Sequence, residues 1–296
     1  MNSVTREISF HKMQGVGNDF VVLDGRERDE DWSRLAIAMC HRHKGVGADG
    51  LLVLTKSSIA DIGMTMLNPD GTFDVCGNGL RCLARFAYEQ KAVTYPDSTD
   101  ALPIRRVTIE TLAGVREVLI NLSSTGETES VKVNMGLPYF EPTAIPALLE
   151  NPLDTLLPLA NGESLRISAL STGSTHAVAL CPSLPDDATF FRISPQVENH
   201  PLFPERTSLM WCTPGLENRI DIRIWERGAG ETWGCGTGAC AAGVVAILKG
   251  YASPMYPVIV ASKGGNLHIR WQEGEEIAMT GPAVAVYHGS YTLSES

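Results

Sequence analysis

Residues Glu226–Ala242 read ERGAGETWGCGTGACAA, with Cys235 set inside Gly234-Cys-Gly-Thr-Gly and a run of small apolar residues, Ala239 to Val245, directly after it. Glycines let the backbone pass tightly round a turn, and an alanine-rich run behind such a turn predicts a buried helix. The N–H groups at the start of that helix would surround the thiol. A helix N-terminus favours an anion, whether a thiolate or a bound carboxylate. Alone, the stretch describes one anion site.

A counterpart lies upstream. Placing Cys76 on Cys235 aligns LNPDGTFDVCGNG (Leu67–Gly79) with ERGAGETWGCGTG (Glu226–Gly238) without gaps. Gly71 falls on Gly230, Gly77 on Gly236, Gly79 on Gly238 and Asn68 on Arg227. Further upstream, Gly17-Asn-Asp-Phe-Val-Val-Leu matches Gly173-Ser-Thr-His-Ala-Val-Ala-Leu once one residue is inserted. The common order of strand, turn and cysteine-headed helix implies a duplicated domain.

The rest of the chain fits that frame. Ile8 to Leu23 reads as strand, glycine turn and strand, and Trp32 to Cys40 has helical spacing at Trp32, Leu35, Ala36 and Met39. The segment CHRHKGVGADG, Cys40 to Gly50, leads into a strand at Leu51; its two histidines have no partner at a metal-ligand spacing. Leu80, Leu83, Ala84 and Ala87 make one apolar helical face behind Cys76. A polar surface loop is expected at 97–103, strand alternation from Ile104 to Val133, and a proline-rich linker from Pro138 to Pro158. Strands are predicted on either side of Ser171–His176, from Ser208, over Ile220–Trp225, and at Val258, Leu267–Trp271 and Ala283–Tyr287.

Composition narrows the classes. With 296 residues, 44% of them hydrophobic, the chain can fill two ordinary cores. A net charge of −10 argues against nucleic acid or an anionic membrane surface as partner. No apolar run approaches a membrane span, and the first residues have no signal-peptide character. Seven cysteines spread over such a length favour a reducing cytoplasm over a disulfide framework. Neither Cys76…Cys82 nor Cys235…Cys240 has the spacing of a zinc knuckle, so no metal is expected.

Two helix N-termini, each headed by a thiol, can grip one carboxylate and present a thiol to each face of the neighbouring carbon. One face would lose a proton and the other gain one, while backbone donors stabilise the charge that develops between. A cysteine suits the task, because a helix N-terminus brings its pKa toward neutrality.

At these residues the sequence resembles the diaminopimelate epimerase family, through KMQGVGNDF (Lys12–Phe20), CHRHKGVGADG, NPDGTFDVCGNGLRC (Asn68–Cys82), FPERT (Phe203–Thr207) and ERGAGETWGCGTGACAA. The resemblance covers nearly the whole chain. It implies an α+β fold of two pseudo-symmetric domains, each a mainly antiparallel sheet wrapped round a central helix, with the active site in the cleft between them. The halves would be 1–136 and 137–279, with 280–296 a closing strand returning to the first. It implies epimerisation of LL- to meso-diaminopimelate for lysine biosynthesis, without pyridoxal phosphate or any other cofactor. Cys76 and Cys235 would be the acid/base pair, and His176 and Glu226 would tune the thiols. Gly77, Asn78, Gly236 and Thr237 would hold the reacting carboxylate. Asn18 and Glu226 would sit by the reacting ammonium, and Asn68 and Arg227 at the distal end.

The partner would be a small amino-acid substrate. The family is often a homodimer, and Tyr287 lies where a dimer-contact tyrosine occurs. Two positions depart from the family: Ser174 and Ser208 stand where asparagines commonly read the distal amino-acid head. A racemase of another amino acid, such as histidine, is therefore the alternative within the class. A carboxylate-binding module or a thiol redox protein stands further off.

Overall fold

The computed structural model describes residues 5–74, 76–95 and 103–294, so the surface loop expected at 97–103 falls almost wholly outside the described residues. The chain divides into two compact units, Met1–Val133 with Gly281–Ser296, and Asn134–Thr280.

The first unit opens with β1 (Thr5–Gly15) and β2 (Asn18–Asp24), an antiparallel hairpin closed by Val16 and Gly17. Both turn residues have positive φ, 49° and 83°, the pairing that matches strand twist in a two-residue hairpin. Val16 is β-branched, and complete burial of its side chain holds it in this unfavourable region. Helix α1 (Trp32–Cys40) follows, its first turn capped by Asp31, which accepts from the Arg34 N–H at 2.9 Å. Then come β3 (Gly50–Thr55), β4 (Ile62–Leu67), the short β5 (Phe73–Asp74) and helix α2 (Gly77–Glu89). Strands β6 (Ile104–Thr111), β7 (Gly114–Leu122) and β8 (Thr128–Asn134) complete the run. β2 is parallel to β3 and β4 to β6; β1–β2, β3–β4, β4–β5, β6–β7 and β7–β8 are antiparallel. The sheet packs round α2, which touches β1, β2, β3, β4 and β7.

The second unit repeats this plan: β9 (Thr155–Pro158), β10 (Ser164–Ser171), β11 (Thr175–Leu180), helix α3 (Asp187–Glu198), β12 (Ser208–Pro214), β13 (Arg219–Glu226), β14 (Gly230–Thr232), helix α4 (Gly236–Leu248), β15 (Val258–Ser262), β16 (Gly265–Arg270) and β17 (Ala278–Gly281). β11 is parallel to β12 and β13 to β15, and the other neighbours are antiparallel. Strand for strand, β10–β17 follow β1–β8, with α3 in the place of α1 and α4 in that of α2. The hairpin at Gly15–Asn18 has two loop residues and that at Ser171–Thr175 has three, which locates the inserted residue of the sequence repeat.

α4 is buried on nearly every side, from Gly236 to Ala246. Its alanines and glycines allow the enclosure: a Cβ added at Gly243 would come within 3.0 Å of Ile269 on β16. Strand β18 (Val284–Ser294) pairs antiparallel with β1 along its length, Ile8 opposite Tyr291, and so belongs to the first unit.

Two sequence expectations need correction. The proline-rich segment Pro138–Pro158 is not a free linker. Tyr139 bridges Ser171, and Ile145, Ala147, Leu149 and Leu157 enter the second unit's core with Phe190 and Trp211. Helix α3 has no clear sequence signature, because Pro195 interrupts its pattern and removes one helical donor. Among the described residues no helix is long and apolar enough to cross a membrane.

Candidate active site

Cys76 and Cys235 are the N-cap residues of α2 and α4, with nearly the same backbone, φ −137° and −130°, ψ 120° and 115°. In each the sulfur takes the role usually given to a Ser or Asp oxygen. Cys76 Sγ accepts from the Gly79 N–H at 3.5 Å, and Cys235 Sγ from the Gly238 N–H at 3.3 Å. Those two glycines are equivalent in the repeat and are packed equally hard. A Cβ at Gly79 would lie 2.9 Å from Leu52, and one at Gly238 would lie 2.6 Å from Met210. The glycine cradle therefore seats each helix end against its sheet and brings an N–H to each sulfur.

In the first unit β2 begins at Asn18, directly after the Val16–Gly17 turn, which carries its side chain to the α2 entrance. Cys76 Sγ donates to Asn18 Oδ1 at 3.4 Å, and Asn78 Nδ2 donates to the same oxygen at 3.3 Å. Asn78, 2% exposed, accepts from Arg81 Nη2 at 2.9 Å, and the fully buried Arg81 also donates to the Pro282 carbonyl. Gly77 is the first helical residue. Asn68 belongs to a different arrangement, the β4–β5 turn, where its amide donates to Thr72 Oγ1 at 3.2 Å.

In the second unit the β10–β11 turn carries Ser174 and leads to His176. Ser174 Oγ stands 3.0 Å from His176 Nε2 and donates to Thr237 Oγ1 at 3.4 Å; Thr237 Oγ1 is 3.4 Å from Cys235 Sγ. Gly236 and Thr237 form the first turn of α4, and Thr172 Oγ1 ties the loop down by donating to the Thr237 carbonyl at 2.8 Å. Burial pushes the Cys235 thiol well above its ordinary pKa, and the Glu226 carboxylate beside it pushes further; the bonds from Thr237 and Gly238 act in the opposite sense. Glu226 in turn accepts from Thr232 Oγ1. Ser208 Oγ accepts from the Arg227 N–H at 3.1 Å, and Arg227 Nη1 donates to the Glu205 carbonyl. The two serines that depart from the family pattern thus spend their hydroxyls on protein partners.

Burial, with the Arg227 charge adding to it, lowers His176 to about 3, so the imidazole is neutral. An unfolded histidine protonates below about 6.5. The stabilisation is therefore complete above pH 6.5 and is lost as pH falls toward 3. From pH 7 to pH 5 the His176 contribution to unfolding free energy is expected to fall by about 2 kcal/mol. Urea denaturation at both values checks it: His176→Gln should remove that part of the fall, and an unchanged pH dependence in the variant assigns it elsewhere.

Several residues of these half-sites were not legible in the sequence. Asp49 bonds the Asn18 amide and is itself held by Arg42; Lys12, buried at 7% exposure, bonds the neighbouring Asp19; and Glu198, buried at 6%, holds the turn that carries Arg227. The sequence marks them only by a lysine between apolar positions of a mixed strand and an aspartate closing a glycine-rich run.

The duplicated α+β unit defines a fold class. The fold is shared with a hydroxyproline epimerase from Agrobacterium vitis (TM-score 0.71, 15% identity, 98% of this chain and 94% of that one). It is shared too with a methylitaconate-delta-isomerase (TM-score 0.66, 14% identity, 98% and 96%). Within that class the diaminopimelate epimerase family model matches residues 10–141 and 168–286. The diaminopimelate epimerase of Pelotomaculum thermopropionicum is 42% identical over 291 residues, 95% of this chain and 98% of the relative. That of Desulfovibrio desulfuricans is 40% identical over 296 residues, 97% and 99%. The chain belongs to the diaminopimelate epimerase family.

Proposed function

We propose that the protein converts LL-diaminopimelate to meso-diaminopimelate for lysine biosynthesis by a two-base mechanism that needs no cofactor, and that its two units are copies of one ancestral half. The observation that carries the mechanism is the matched pair of sulfur N-caps, Cys76 on α2 and Cys235 on α4. One thiolate removes the α-proton and becomes a thiol. The other thiol gives its proton to the opposite face and becomes the thiolate. Charge is conserved, and the enzyme ends with the two roles exchanged. Gly77, Asn78, Gly236 and Thr237, in the first turns of the two helices, hold the substrate carboxylate through backbone N–H groups and lower the cost of the developing carbanion.

The raised pKa of Cys235 fits this scheme. Glu226 disfavours a thiolate there, and a substrate ammonium placed against Glu226 would cancel that field. Thiolate formation at Cys235 is thereby coupled to substrate binding. Asn18 shares the ammonium side, and Asn68 and Arg227 address the distal amino-acid head, Arg227 as a bidentate donor to its carboxylate. Ser174 and Ser208 contribute there through waters or by holding His176 and the Arg227 backbone. The reading includes a cytoplasmic location and a homodimer; Tyr287, 47% exposed on β18 with its ring edge-on to Phe10, offers apolar surface to a second copy.

The test is α-hydrogen exchange. In deuterated water under reducing conditions, with no cofactor added, LL-diaminopimelate is expected to gain label at one α-carbon as meso product forms. Histidine, glutamate and lysine run in parallel should stay unlabelled. Label in histidine but not in diaminopimelate would transfer the reading to the alternative racemase.

A further inference from the structure

The segment Cys40–Gly50 contributes two charged side chains, Arg42 and Asp49, that neither half-site reading uses. In the folded unit they meet behind Asn18. Asp49 Oδ2 accepts from Asn18 Nδ2 at 2.8 Å and from the Asp19 N–H at 3.1 Å. Arg42 Nη2 donates to Asp49 Oδ1 at 2.6 Å and to Asp19 Oδ1 at 2.8 Å. Lys12 Nζ, buried, bonds Asp19 Oδ2 and the Gly47 carbonyl, and the Asp49 N–H donates to the Asp19 carbonyl at 2.8 Å. Burial opposes ionisation of Asp19, yet hydrogen bonds from Arg42 and Lys12 bring it down to about 2, so it stays charged and the frame stays closed.

An asparagine amide has nearly the same shape with its oxygen and nitrogen exchanged, and only its partners decide which end points where. A carboxylate only accepts. Asp49 therefore takes the Nδ2 end of Asn18 and turns the oxygen toward Cys76 and Asn78. A sulfur facing an acceptor is favoured as S–H; a reversed amide would present a donor and favour the thiolate. Asp49, with its side chain 40% exposed, could swing into solvent, and the Arg42 bridge keeps it in place.

We propose that Asp49 is a positioning residue for the reaction: it fixes the Asn18 amide oxygen on Cys76 and so holds Cys76 as the proton-donating thiol. The inference rests on the reading of Cys76 as one of the two acid/base groups. Among the described residues, the charged groups facing that thiol's partners are Asp49, Asp19, Arg42 and Lys12 behind Asn18 and Arg81 behind Asn78, with Asp74 two residues before Cys76 on β5.

The experiment measures alkylation of Cys76 by iodoacetamide against pH, followed by mass spectrometry of the Cys76 peptide; this readout does not depend on turnover. Asp49→Ala is expected to move the alkylation midpoint down by about one pH unit, and to lower kcat about tenfold with KM within about twofold. Asp49→Ser, whose hydroxyl falls short of Asn18, serves as a second variant and should behave as Asp49→Ala. Asp49→Asn loses the charge but keeps an amide oxygen for Asn18 Nδ2, and should restore the midpoint and most of kcat. In an Asn18→Ala background the shift caused by Asp49→Ala should vanish. A shift in Asp49→Asn as large as in Asp49→Ala, or one that persists without Asn18, would make Asp49 a source of charge only and overturn the proposal. An unmoved midpoint in Asp49→Ala and Asp49→Ser would do the same. Absence of diaminopimelate turnover in the wild type, with the midpoints shifting as stated, would instead count against the assigned substrate alone.

Discussion

Cys76→Ala and Cys235→Ala are each expected to lower the conversion of LL- to meso-diaminopimelate by about 10³-fold or more, within the range for loss of a positioned acid or base. Both variants should fold. Each sulfur caps its helix through a long bond, 3.5 Å for Cys76 and 3.3 Å for Cys235. Loss of such a weak cap costs no more than about 1 kcal/mol. The two variants should also differ from each other in a way that only a two-base mechanism requires. A single remaining thiolate can take a proton and return it to the same face, so each variant should exchange an α-hydrogen with solvent without inverting the centre. One variant should label the LL isomer and the other the D-centre of the meso isomer. Deuterium incorporation read by mass spectrometry, beside chiral separation of the isomers, makes both measurements on one sample. Full inversion by either variant would remove the two-thiol mechanism. So would equal exchange of both isomers by one of them, since a lone base then serves both faces.

The parts of this site that the sequence discloses are those made by local chain geometry. A cysteine between glycines, ahead of an alanine-rich run, specifies a turn, a sulfur N-cap and a buried helix within a dozen residues. Its recurrence at Cys76 reveals the duplication, because a helix entrance is built from neighbours in the chain. What stayed hidden is tertiary. Asp49 reaches Asn18 only because β3 lies parallel to β2, with Phe20 beside Gly50. Nothing in the spacing of residues 18 and 49 announces that register. Pro138–Pro158 differs from a linker for a related reason: its prolines describe an irregular backbone, which can still bury Ile145 completely, and its last four residues form strand β9, where Leu157 is equally buried. Strand β17 carries no sequence signal, because its four residues, Ala278–Gly281, hold too little alternation.

Glu198 shows how far such tertiary contacts reach into function. It is the last residue of α3, outside every motif singled out in the sequence, and is 6% exposed. Oε1 accepts from Arg206 Nη1 at 3.0 Å and from the Gly228 N–H at 2.8 Å, and Oε2 accepts from Trp225 Nε1 at 2.6 Å. Its carbonyl also receives the Thr207 N–H at 3.2 Å. Those contacts bracket Glu226 and Arg227 on one side and Ser208 on the other, at two turns where Arg206 and Gly228 adopt positive φ, 61° and 78°. Glu198→Ala would strand the Trp225 and Gly228 donors and release the Arg206 charge. Trp225 is half-buried and Gly228 exposed, so the two unmet donors together cost about 1–2 kcal/mol, and the contact with Arg206, whose side chain is 50% exposed, adds no more than about 1 kcal/mol. For a chain of this size a loss of that order lowers Tm by roughly 5 °C. At a temperature where the variant stays folded, kcat/KM should still fall about tenfold, because the turn presenting Glu226 and Arg227 is no longer tied down. Glu198→Gln keeps one acceptor but sets an amide donor against a second donor, and should fall between the two. Thermal melting and steady-state kinetics on the three proteins check the link. A large drop in Tm with unchanged kcat/KM would make Glu198 a residue of the core alone, whereas loss of both ties the packing of α3 to the geometry of the substrate-facing turn.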